Sequence, residues 1–431
     1  MTVHTAAGAA LIVIALLVNP WFLESFVVLD ESITRKWPVV VVEVVTAAFG
    51  LLLVQSGRAP SKRQMSIRDR LFAGIAIGFA LVFSLIAGEV VLRLFVGPEI
   101  LLKPEKASEY RWRARQAGYE SGTQEGRYDY DLFDPLLGWL PKKNYSHGGV
   151  TTNSLGIRST REYSFERVAG VRRIVLIGDS FTWGEATWSS EISNEETFAT
   201  RLETDLPNTE ALNLGVHGWG TDQQLIYLYE LGLRFQPDLV ILGFFEANLE
   251  RNVATFHGYS KPRFFLEDGA LVLRNTPILD GEAFLETPFE LPSFYLGKLI
   301  GKGASAVLDR TKFRPIEGRE AWHITQAIFE AAKRKSEAAG AEFLLVDIPF
   351  GVRRPATSIE RAVTKWAADS ETHYVSLREH FIGLPRTEWS KINDGHFTVR
   401  GHAETAKALI GYIENANLLP TEDMAGRKSS N

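Results

Sequence analysis

The sequence predicts an α/β fold, with a parallel sheet that carries helices on both of its faces. From Arg172 onward, short apolar runs alternate with longer segments of helical period. The first run, 173–177, is rich in β-branched residues and stops at Gly178-Asp179-Ser180, which is typical of a buried parallel strand. The first hundred residues are far more apolar than the rest, which indicates a separate region before the sheet.

The alternating region contains five predicted strands and five predicted helices. Residues 253–317 interrupt it and are rich in Pro, Gly and aromatic residues, with a small hairpin predicted over 261–273. A long insertion beside a strand end is a candidate lid or substrate-binding element, and equally a surface excursion. The strands are predicted at 173–177, 211–214, 239–244, 342–347 and 373–376, and the helices at 195–205, 222–234, 320–339, 358–368 and 399–414.

The composition excludes some classes of function. The chain has 431 residues, enough for more than one domain, and a mild formal net charge of −5. It has no basic tract interleaved with aromatic residues, so nucleic acid is not an expected partner. Cysteine is absent, which excludes disulfides and thiolate metal sites.

Three apolar stretches within residues 1–97 are predicted to be transmembrane helices, at about 5–23, 38–54 and 71–93. Each approaches the roughly 20 residues that span a bilayer. Buried helices of a soluble domain are the alternative for all three, and a cleaved signal peptide is the alternative for the first. Three such runs so close together favour a membrane region.

The loops predict the orientation of this region. The segment between the second and third spans carries five basic residues against the single acid Asp69, so it is expected in the cytoplasm. The N-terminus then also lies in the cytoplasm, and everything after about residue 98 lies outside it. The sequence thus predicts a multi-pass protein of the bacterial inner membrane whose larger part is periplasmic.

A polar connector between the membrane region and the sheet is predicted to pack as short strands and turns. Trp139, Tyr145 and Ile157 in this connector need burial, which argues against a free linker. The predicted boundaries are 1–97 for the membrane region, 98–170 for the connector, 171–418 for the α/β domain with its insertion at 253–317, and 419–431 for a disordered tail.

Ser180 and His396 are the candidates for nucleophilic chemistry. Ligands of open α/β sheets bind beyond the carboxyl ends of the strands, where Ser180 is predicted. A serine hydroxyl needs a base to remove its proton, and His396 is the best candidate. Asp394, two residues earlier, has the type of side chain that orients an imidazole and stabilises its charged form.

Two further turns contain candidate donors for an oxyanion, which acyl transfer through a serine also requires. Gly218 follows the second predicted strand, in a glycine-rich turn where a backbone N–H can approach a substrate closely. Asn248 follows the third predicted strand, and its side-chain amide is a candidate donor.

In this order, Gly178-Asp179-Ser180, Gly218, Asn248 and His396 resemble the four sequence blocks of the SGNH (GDSL) hydrolase superfamily. The resemblance implies a flavodoxin-like three-layer α/β/α fold and ester or acyl-transfer chemistry, with no metal or cofactor. It implies that Ser180 is the nucleophile, that His396 is the base and that Asp394 is its partner. The oxyanion hole would consist of the backbone N–H groups of Ser180 and Gly218 with the Asn248 amide.

The resemblance covers about residues 172–415 and departs from the family pattern at two points. Many members place the acid three residues before the histidine, where this chain has Asn393. The Asp-x-His spacing found here is similar to that of members involved in polysaccharide O-acetylation. The asparagine of the third block is often followed by Asp, and here it is followed by Leu249.

Several residues near these blocks have more than one predicted role. Trp183 and Trp219 are candidate contacts for a sugar or an acyl group, with core packing as the alternative. His217 is expected either at the edge of the pocket or in a supporting or exposed position. His402 is expected at the surface or at a helix start and not in a metal site, because zinc needs three or four converging ligands. Asp179 is expected to hold its turn.

The function expected from sequence is that of a membrane-anchored serine esterase. It would act on O-acyl or O-acetyl esters, such as those of cell-surface glycans, through an acyl-enzyme on Ser180. An O-acyltransferase that moves an acyl group onto a polysaccharide is the alternative, and a glycan-binding or assembly protein without catalysis is the second alternative. The expected partners are the lipid bilayer and an ester-bearing small molecule or glycan.

Overall fold

The structure is a computed structural model in which the chain forms two compact units. The first comprises Met1–Gly118 with Pro288–Phe313, and the second comprises Tyr119–Thr287 with Arg314–Asn431. The residues that the structure describes are 67–95, 98–118, 130–301, 319–353 and 355–420, with scattered positions between 5 and 55.

Glu89 organises the described part of the first unit. Its carboxylate accepts a hydrogen bond from Arg93 Nε at 2.8 Å, an i,i+4 pair on one helix face. It also accepts from the backbone N–H groups of Tyr295 and Leu296 at 3.0 and 2.9 Å, which ties their segment to the helix. Two helices of this unit are α1 (Ile67–Phe95) and α2 (Pro104–Gly118), with a 3-10 turn between them at Pro98–Leu101.

The three predicted membrane spans fall in this unit. The span predicted at 71–93 lies within α1, whereas those predicted at 5–23 and 38–54 lie almost entirely outside the described residues. Over the part of the chain that the structure describes, no helix is both long enough and apolar enough to cross a bilayer. Membrane anchoring and its orientation stay predictions from the sequence.

Two antiparallel hairpins precede the sheet of the second unit. Trp139, on the second strand of the first hairpin, and Ile157, which follows the second hairpin, are 2% and 1% exposed, as the sequence predicts, and Tyr145 is half-buried. The predicted connector is divided, because its residues 98–118 belong to the first unit. The hairpins pair β1 (Asp131–Asp134) with β2 (Gly138–Pro141) and β3 (Ser146–His147) with β4 (Val150–Thr151).

The remaining strands form the central sheet and three more hairpins. The hairpin predicted in the insertion is present, although the insertion itself is divided, since Pro288–Phe313 belongs to the first unit. In chain order these strands are β5 (Arg172–Gly178), β6 (Thr209–Gly215), β7 (Leu239–Phe245), β8 (Phe256–His257), β9 (Tyr259–Ser260), β10 (Arg263–Glu267), β11 (Ala270–Arg274), β12 (Glu342–Ile348), β13 (His373–Ser376), β14 (Asn393–Asp394) and β15 (His396–Phe397).

The central sheet contains the five strands that the sequence predicts. Their order is β13-β12-β7-β5-β6, and all neighbouring pairs are parallel. Parallel neighbours require crossover connections, which the intervening helices supply. These helices and shorter ones are α3 (Ser180–Trp183), α4 (Phe198–Asp205), α5 (Thr221–Glu230), α6 (Asn248–Arg251), α7 (Gly281–Glu286), α8 (Glu320–Ala338), α9 (Ser358–Asp369), α10 (Leu377–Ile382) and α11 (Val399–Asn415).

Successive residues of β5 point to opposite faces of the sheet and enter two separate apolar clusters. Val175 and Ile177 belong to one cluster, together with residues of α5, α8 and α9. Ile174 and Leu176 belong to the other, together with residues of α4, α10 and α11. The sheet is therefore the middle layer of a three-layer α/β/α unit, in agreement with the predicted fold class.

Candidate active site

Ser180 is the first residue of the short helix α3, which begins directly after β5. Asp179 is the N-cap, and its Oδ1 accepts a hydrogen bond from the Phe181 N–H at 3.0 Å. Gly184 closes the helix in the left-handed conformation, with φ of 90°. This turn places Ser180 at the carboxyl end of the sheet, where ligands of such folds bind.

Three glycines at or near the ends of neighbouring strands allow α3 to lie against the sheet. A Cβ atom added at Gly178 would overlap the Thr182 side chain, and one at Gly215 would overlap the backbone of Trp183. At Gly243 it would lie 2.6 Å from Thr182 Oγ1. These glycines are required by close approach, because any larger residue would push the helix that carries the nucleophile away from the sheet.

The structure brings Ser180 and His396 together, although 216 residues separate them in sequence. His396 Nε2 lies 2.9 Å from Ser180 Oγ, within hydrogen-bond distance. Ser180 is 6% exposed and His396 is half-buried. A histidine at this distance from a serine hydroxyl meets the geometric requirement for a base that activates a nucleophile.

Aromatic packing holds the His396 ring in place. Its centroid lies 5.1 Å from that of Phe181, the residue that follows the nucleophile. Phe181 also packs on Phe245, at the end of β7, and edge-on against Phe397, the neighbour of His396, with both centroids 4.9 Å away. The imidazole thus lies on a rigid apolar surface, which limits its rotation away from Ser180.

Asp394 and His396 occupy facing positions of the two-residue strands β14 and β15. The turn between them is Gly395, whose φ of 79° is in the left-handed region. Asp394 Oδ2 accepts a hydrogen bond from Ser189 Oγ at 2.7 Å, and its backbone oxygen accepts from the Trp188 N–H at 3.2 Å. The role of Asp394 as partner of His396 stays a prediction, and the structure adds Ser189 as the group that holds its carboxylate.

The turn that carries Gly218 lies next to Ser180. Its Val216 N–H donates to the oxygen of Gly178 at 3.1 Å, and the φ of Gly218 is +73°, which favours glycine. Within the described part of the chain, neither the Ser180 nor the Gly218 backbone N–H has a hydrogen-bond acceptor. Two such amides at adjacent strand ends are suited to an oxyanion.

Asn248, the third predicted oxyanion donor, has a different set of partners. Its side-chain nitrogen donates to Asp179 Oδ2 at 3.0 Å and to the Trp219 oxygen at 2.9 Å, so both N–H groups of the amide are engaged. Its oxygen accepts from the Phe245 N–H at 2.8 Å. In this structure Asn248 therefore fixes the two turns of Ser180 and Gly218 relative to each other and presents no N–H to a substrate.

Arg251, one turn later in α6, reinforces this link. One of its guanidinium nitrogens donates to Asp179 Oδ2 at 3.2 Å and to the Trp219 oxygen at 3.0 Å. Asp179 is fully buried, so Arg251 also supplies a charge that compensates its carboxylate. As predicted, Asp179 holds its turn, here through three different partners.

His217 supports the turn of Gly218 from inside the protein. It is 2% exposed, and its Nε2 lies 2.5 Å from Asp131 Oδ1, on β1. Asp131 Oδ2 accepts a hydrogen bond from the Tyr259 hydroxyl at 2.6 Å, and Trp139 Nε1 donates to the backbone oxygen of His217 at 3.0 Å. The supporting role is thus the one that the structure shows, and the connector and the insertion both contribute to it.

Arg158 holds the far end of α3. The Arg158 guanidinium donates to the backbone oxygens of Trp183 and Gly184 at 3.0 and 2.6 Å, and to that of Ile192. It also donates to Asn194 Oδ1 at 3.1 Å. Burial lowers the pKa of Arg158 to about 10, at which it remains charged near neutral pH.

The two tryptophans proposed as substrate contacts are core residues. Trp183 is 1% exposed and stacks on Tyr130 with ring centroids 5.5 Å apart, and Trp219 is 0% exposed and packs edge-on against Tyr227. Core packing, the alternative for both, therefore applies. The exposed tryptophan near the site is Trp188, of which 87% is accessible.

His402 lies in the first turn of α11, which confirms the helix start among its two expected positions, and it is fully buried, so the surface position is wrong. Its Nδ1 accepts a hydrogen bond from the Phe198 N–H at 3.3 Å, and its ring stacks on Phe198. Burial lowers the pKa of His402 to about 3, so the ring is neutral. Among the described residues no group of three or more His, Cys, Asp or Glu side chains is arranged to hold a metal ion.

The chain is similar to several solved hydrolase structures. One is a lipase/acylhydrolase from Enterococcus faecalis, with 17% identity, covering 58% of this chain and 98% of that one, at a TM-score of 0.33. A second is a G-D-S-L family protein from Desulfitobacterium hafniense, with 14% identity, covering 55% of this chain and 98% of that one, at a TM-score of 0.29. A third is an acetyl xylan esterase, with 14% identity, covering 56% of this chain and 99% of that one, at a TM-score of 0.33.

No protein-family model and no curated protein matches the sequence.

Proposed function

We propose that this protein is a serine esterase that hydrolyses esters through an acyl-enzyme on Ser180. The distance of 2.9 Å between Ser180 Oγ and His396 Nε2 is the observation that supports this most directly. A serine at a strand end, a histidine within hydrogen-bond distance and two backbone N–H groups without acceptors among the described residues are the parts that acyl transfer needs.

In the first half of the reaction, Ser180 Oγ attacks the ester carbonyl carbon while His396 Nε2 takes the hydroxyl proton. The carbonyl oxygen becomes an oxyanion, and the N–H groups of Ser180 and Gly218 stabilise it. When the intermediate collapses, the bond to the alkoxy oxygen breaks and His396 gives its proton to that oxygen. The alcohol leaves, and the acyl group stays on Ser180.

In the second half, His396 takes a proton from a water molecule whose oxygen attacks the acyl carbon. The bond to Ser180 Oγ then breaks, and the proton returns to that oxygen. A carboxylic acid is released, and the enzyme regains its starting state. The reaction consumes the ester and one water molecule, and neither half-reaction requires an oxidant or a reductant.

Hydrogen bonds on both sides of Gly218 hold its turn in place before the reaction begins. The turn is held at Trp219 by Asn248 and Arg251, and at His217 by Asp131 and Trp139. Donors fixed before the reaction require no reorganisation when charge develops on the substrate, which is how an oxyanion hole lowers a barrier.

We further infer a membrane-anchored enzyme whose α/β unit is extracytoplasmic and acts on O-acyl or O-acetyl groups of cell-surface glycans. The support is in the sequence, from three apolar stretches before residue 97 and the basic loop between the second and the third. A reporter active only after export, fused after residue 100, should be active. Activity of a cytoplasmic reporter at that position would contradict the orientation.

The esterase proposal is tested by hydrolysis of p-nitrophenyl acetate with the purified full-length chain in a mild detergent. Ser180→Ala and His396→Ala should each lower kcat by at least about 1000-fold, as removal of a triad member does elsewhere. Wild-type hydrolysis that persists in both variants would contradict the proposal, as would the absence of hydrolysis by the wild type across a series of p-nitrophenyl esters.

A further inference from the structure

We propose that Trp188 is the residue that stacks on the sugar carrying the ester hydrolysed at Ser180. This inference rests on the proposed action on glycan esters and names the residue that contacts the sugar. Trp188 belongs to the loop between α3 and the 3-10 turn at Asn194–Glu196, a segment to which the sequence analysis gives no role.

The Trp188 indole lies against the turn that carries the catalytic histidine. A Cβ atom added at Gly395 would overlap Nε1 and Cδ1 of the Trp188 ring. Gly395 separates Asp394 from His396, so the pyrrole edge of the indole touches the middle of the catalytic hairpin. Because that contact uses only an edge, 87% of Trp188 remains exposed.

The loop holds Trp188 in this position through its backbone. The Trp188 N–H donates to the oxygen of Asp394 at 3.2 Å, and Ser189 Oγ donates to Asp394 Oδ2 at 2.7 Å. Within the loop, Thr187 Oγ1 accepts from the Ser190 N–H at 2.9 Å and donates to the oxygen of the same residue at 3.1 Å. The exposed ring is therefore attached at two points to the hairpin that activates Ser180.

An exposed, fixed indole face is suited to the apolar C–H face of a pyranose ring. Tryptophan presents a large area at a small entropic cost, and its π face attracts partly positive C–H groups. The three residues after it in the loop, Ser189, Ser190 and Glu191, are exposed and polar, which suits the hydroxyl groups of a sugar. They are poorly suited to insertion into a bilayer, so a carbohydrate is favoured over a lipid surface.

The test compares two esters on the purified full-length chain: p-nitrophenyl acetate, which carries no sugar, and a panel of O-acetylated cello-, xylo- and manno-oligosaccharides. Trp188→Ala should raise KM for at least one sugar ester by about tenfold more than it raises KM for p-nitrophenyl acetate, the loss expected of one stacking contact. Trp188→Phe, which keeps a flat ring, should restore most of the affinity for the sugar ester.

Three outcomes would overturn the inference while leaving the esterase proposal intact. They are equal losses on both kinds of ester, unchanged KM for every sugar ester that the wild type hydrolyses, and wild-type activity on p-nitrophenyl acetate with none on any sugar ester. A loss seen only with substrate in phosphatidylglycerol vesicles would assign Trp188 to a lipid surface instead.

A binding measurement separates this inference from the esterase proposal. Unacetylated oligosaccharides of the same panel should quench tryptophan fluorescence of Ser180→Ala, which cannot form an acyl-enzyme. The quenching should disappear in the double variant that also carries Trp188→Ala. Equal quenching in both variants would contradict sugar stacking on Trp188, whether or not the wild type proves to be an esterase.

Discussion

The carboxylate of Asp394 accepts a hydrogen bond from the hydroxyl of Ser189, 2.7 Å away, although 205 residues separate the two in sequence. Asp394 faces His396 across the tight turn at Gly395, so Ser189 fixes the carboxylate next to the proposed catalytic base. Ser189 thus holds the carboxylate of the Asp-x-His pair, a contact that the sequence alone does not reveal.

We predict that Asp394→Asn lowers kcat for p-nitrophenyl acetate by roughly 100-fold or more, because an acid beside the imidazole sets its tautomer and stabilises its charged form. Ser189→Ala keeps the acid and removes only one of its partners, so a loss of less than about tenfold is expected. Steady-state kinetics of the two variants measures both effects. A variant Asp394→Asn with wild-type kcat would show that the carboxylate has no part in activating His396.

Asp131→Asn should lower kcat and leave KM nearly unchanged. The substitution weakens the contact that holds His217, the neighbour of Gly218. The Gly218 N–H is proposed to bind the oxyanion, so it acts in the transition state more than in the ground state. A reduction of roughly 10- to 100-fold is expected, below the loss of a whole oxyanion donor. Tyr259→Phe, which removes one hydrogen bond to the same carboxylate, is the milder matched variant. An increase in KM with constant kcat would place Asp131 in substrate binding instead.

Arg158→Lys should destabilise the α/β unit and lower activity together. The planar guanidinium of Arg158 donates several hydrogen bonds at once to carbonyls at the end of α3 and in the following loop. A lysine ammonium cannot make all of them, so buried acceptors would lose their partners. A loss of about 2–4 kcal/mol in the free energy of unfolding is expected. Arg161→Lys, at a side chain that is 56% exposed, is the control and should change stability by less than about 0.5 kcal/mol. Urea denaturation measures both, and equal stabilities would contradict the role of Arg158.

The sheet and the pair Ser180–His396 were predictable from sequence because each has a local signature. A β-branched run that ends at Gly-Asp-Ser marks a strand end, and the five predicted strands of the alternating region occur in the structure with ends shifted by at most two residues. Since carboxyl ends of parallel strands meet at one edge, turns that follow them converge regardless of their separation in sequence.

The supporting residues were not predictable in the same way. Asp131 and Arg158 lie in the connector, which has no regular period. The partners of Asp131 are 86 and 128 residues away, and those of Arg158 are 25 to 36 residues away. A charged residue directly after the buried Ile157 was the available signal for Arg158. The exposure of the tryptophans was not predictable either. The sequence does not distinguish a tryptophan that points into the core, as Trp183 does, from one that points into solvent, as Trp188 does.

Asp347, near the carboxyl end of β12, is a buried acid that should make the stability of the fold depend on pH. It is 2% exposed, its Oδ1 has no partner among the described residues, and its Oδ2 accepts from the Tyr374 hydroxyl at 3.2 Å. Burial, followed by the charge of Glu360, raises the pKa of Asp347 to about 8 from the model-compound value of 3.8. The carboxyl group is therefore protonated in the folded protein at neutral pH.

The sign of the pH effect follows from this shift. The folded state binds the proton more tightly than the unfolded state, so the stabilisation is present below pH 3.8 and is lost as pH rises towards about 8. The loss from this group is at most about 1.4 kcal/mol per pH unit. Asp347→Asn should therefore gain stability relative to the wild type between pH 5 and pH 8, measured by urea denaturation. An equal difference at both pH values would contradict a raised pKa.

The activation of Ser180 by His396 is tested most directly by labelling with a serine-reactive phosphonate, followed by mass spectrometry of the peptide that contains residue 180. In the wild type we predict one phosphonylated residue, Ser180, with labelling at least about 100-fold slower in His396→Ala. Labelling of another serine, or equal rates in the two proteins, would contradict the pairing of a serine nucleophile with a histidine base at the end of β5.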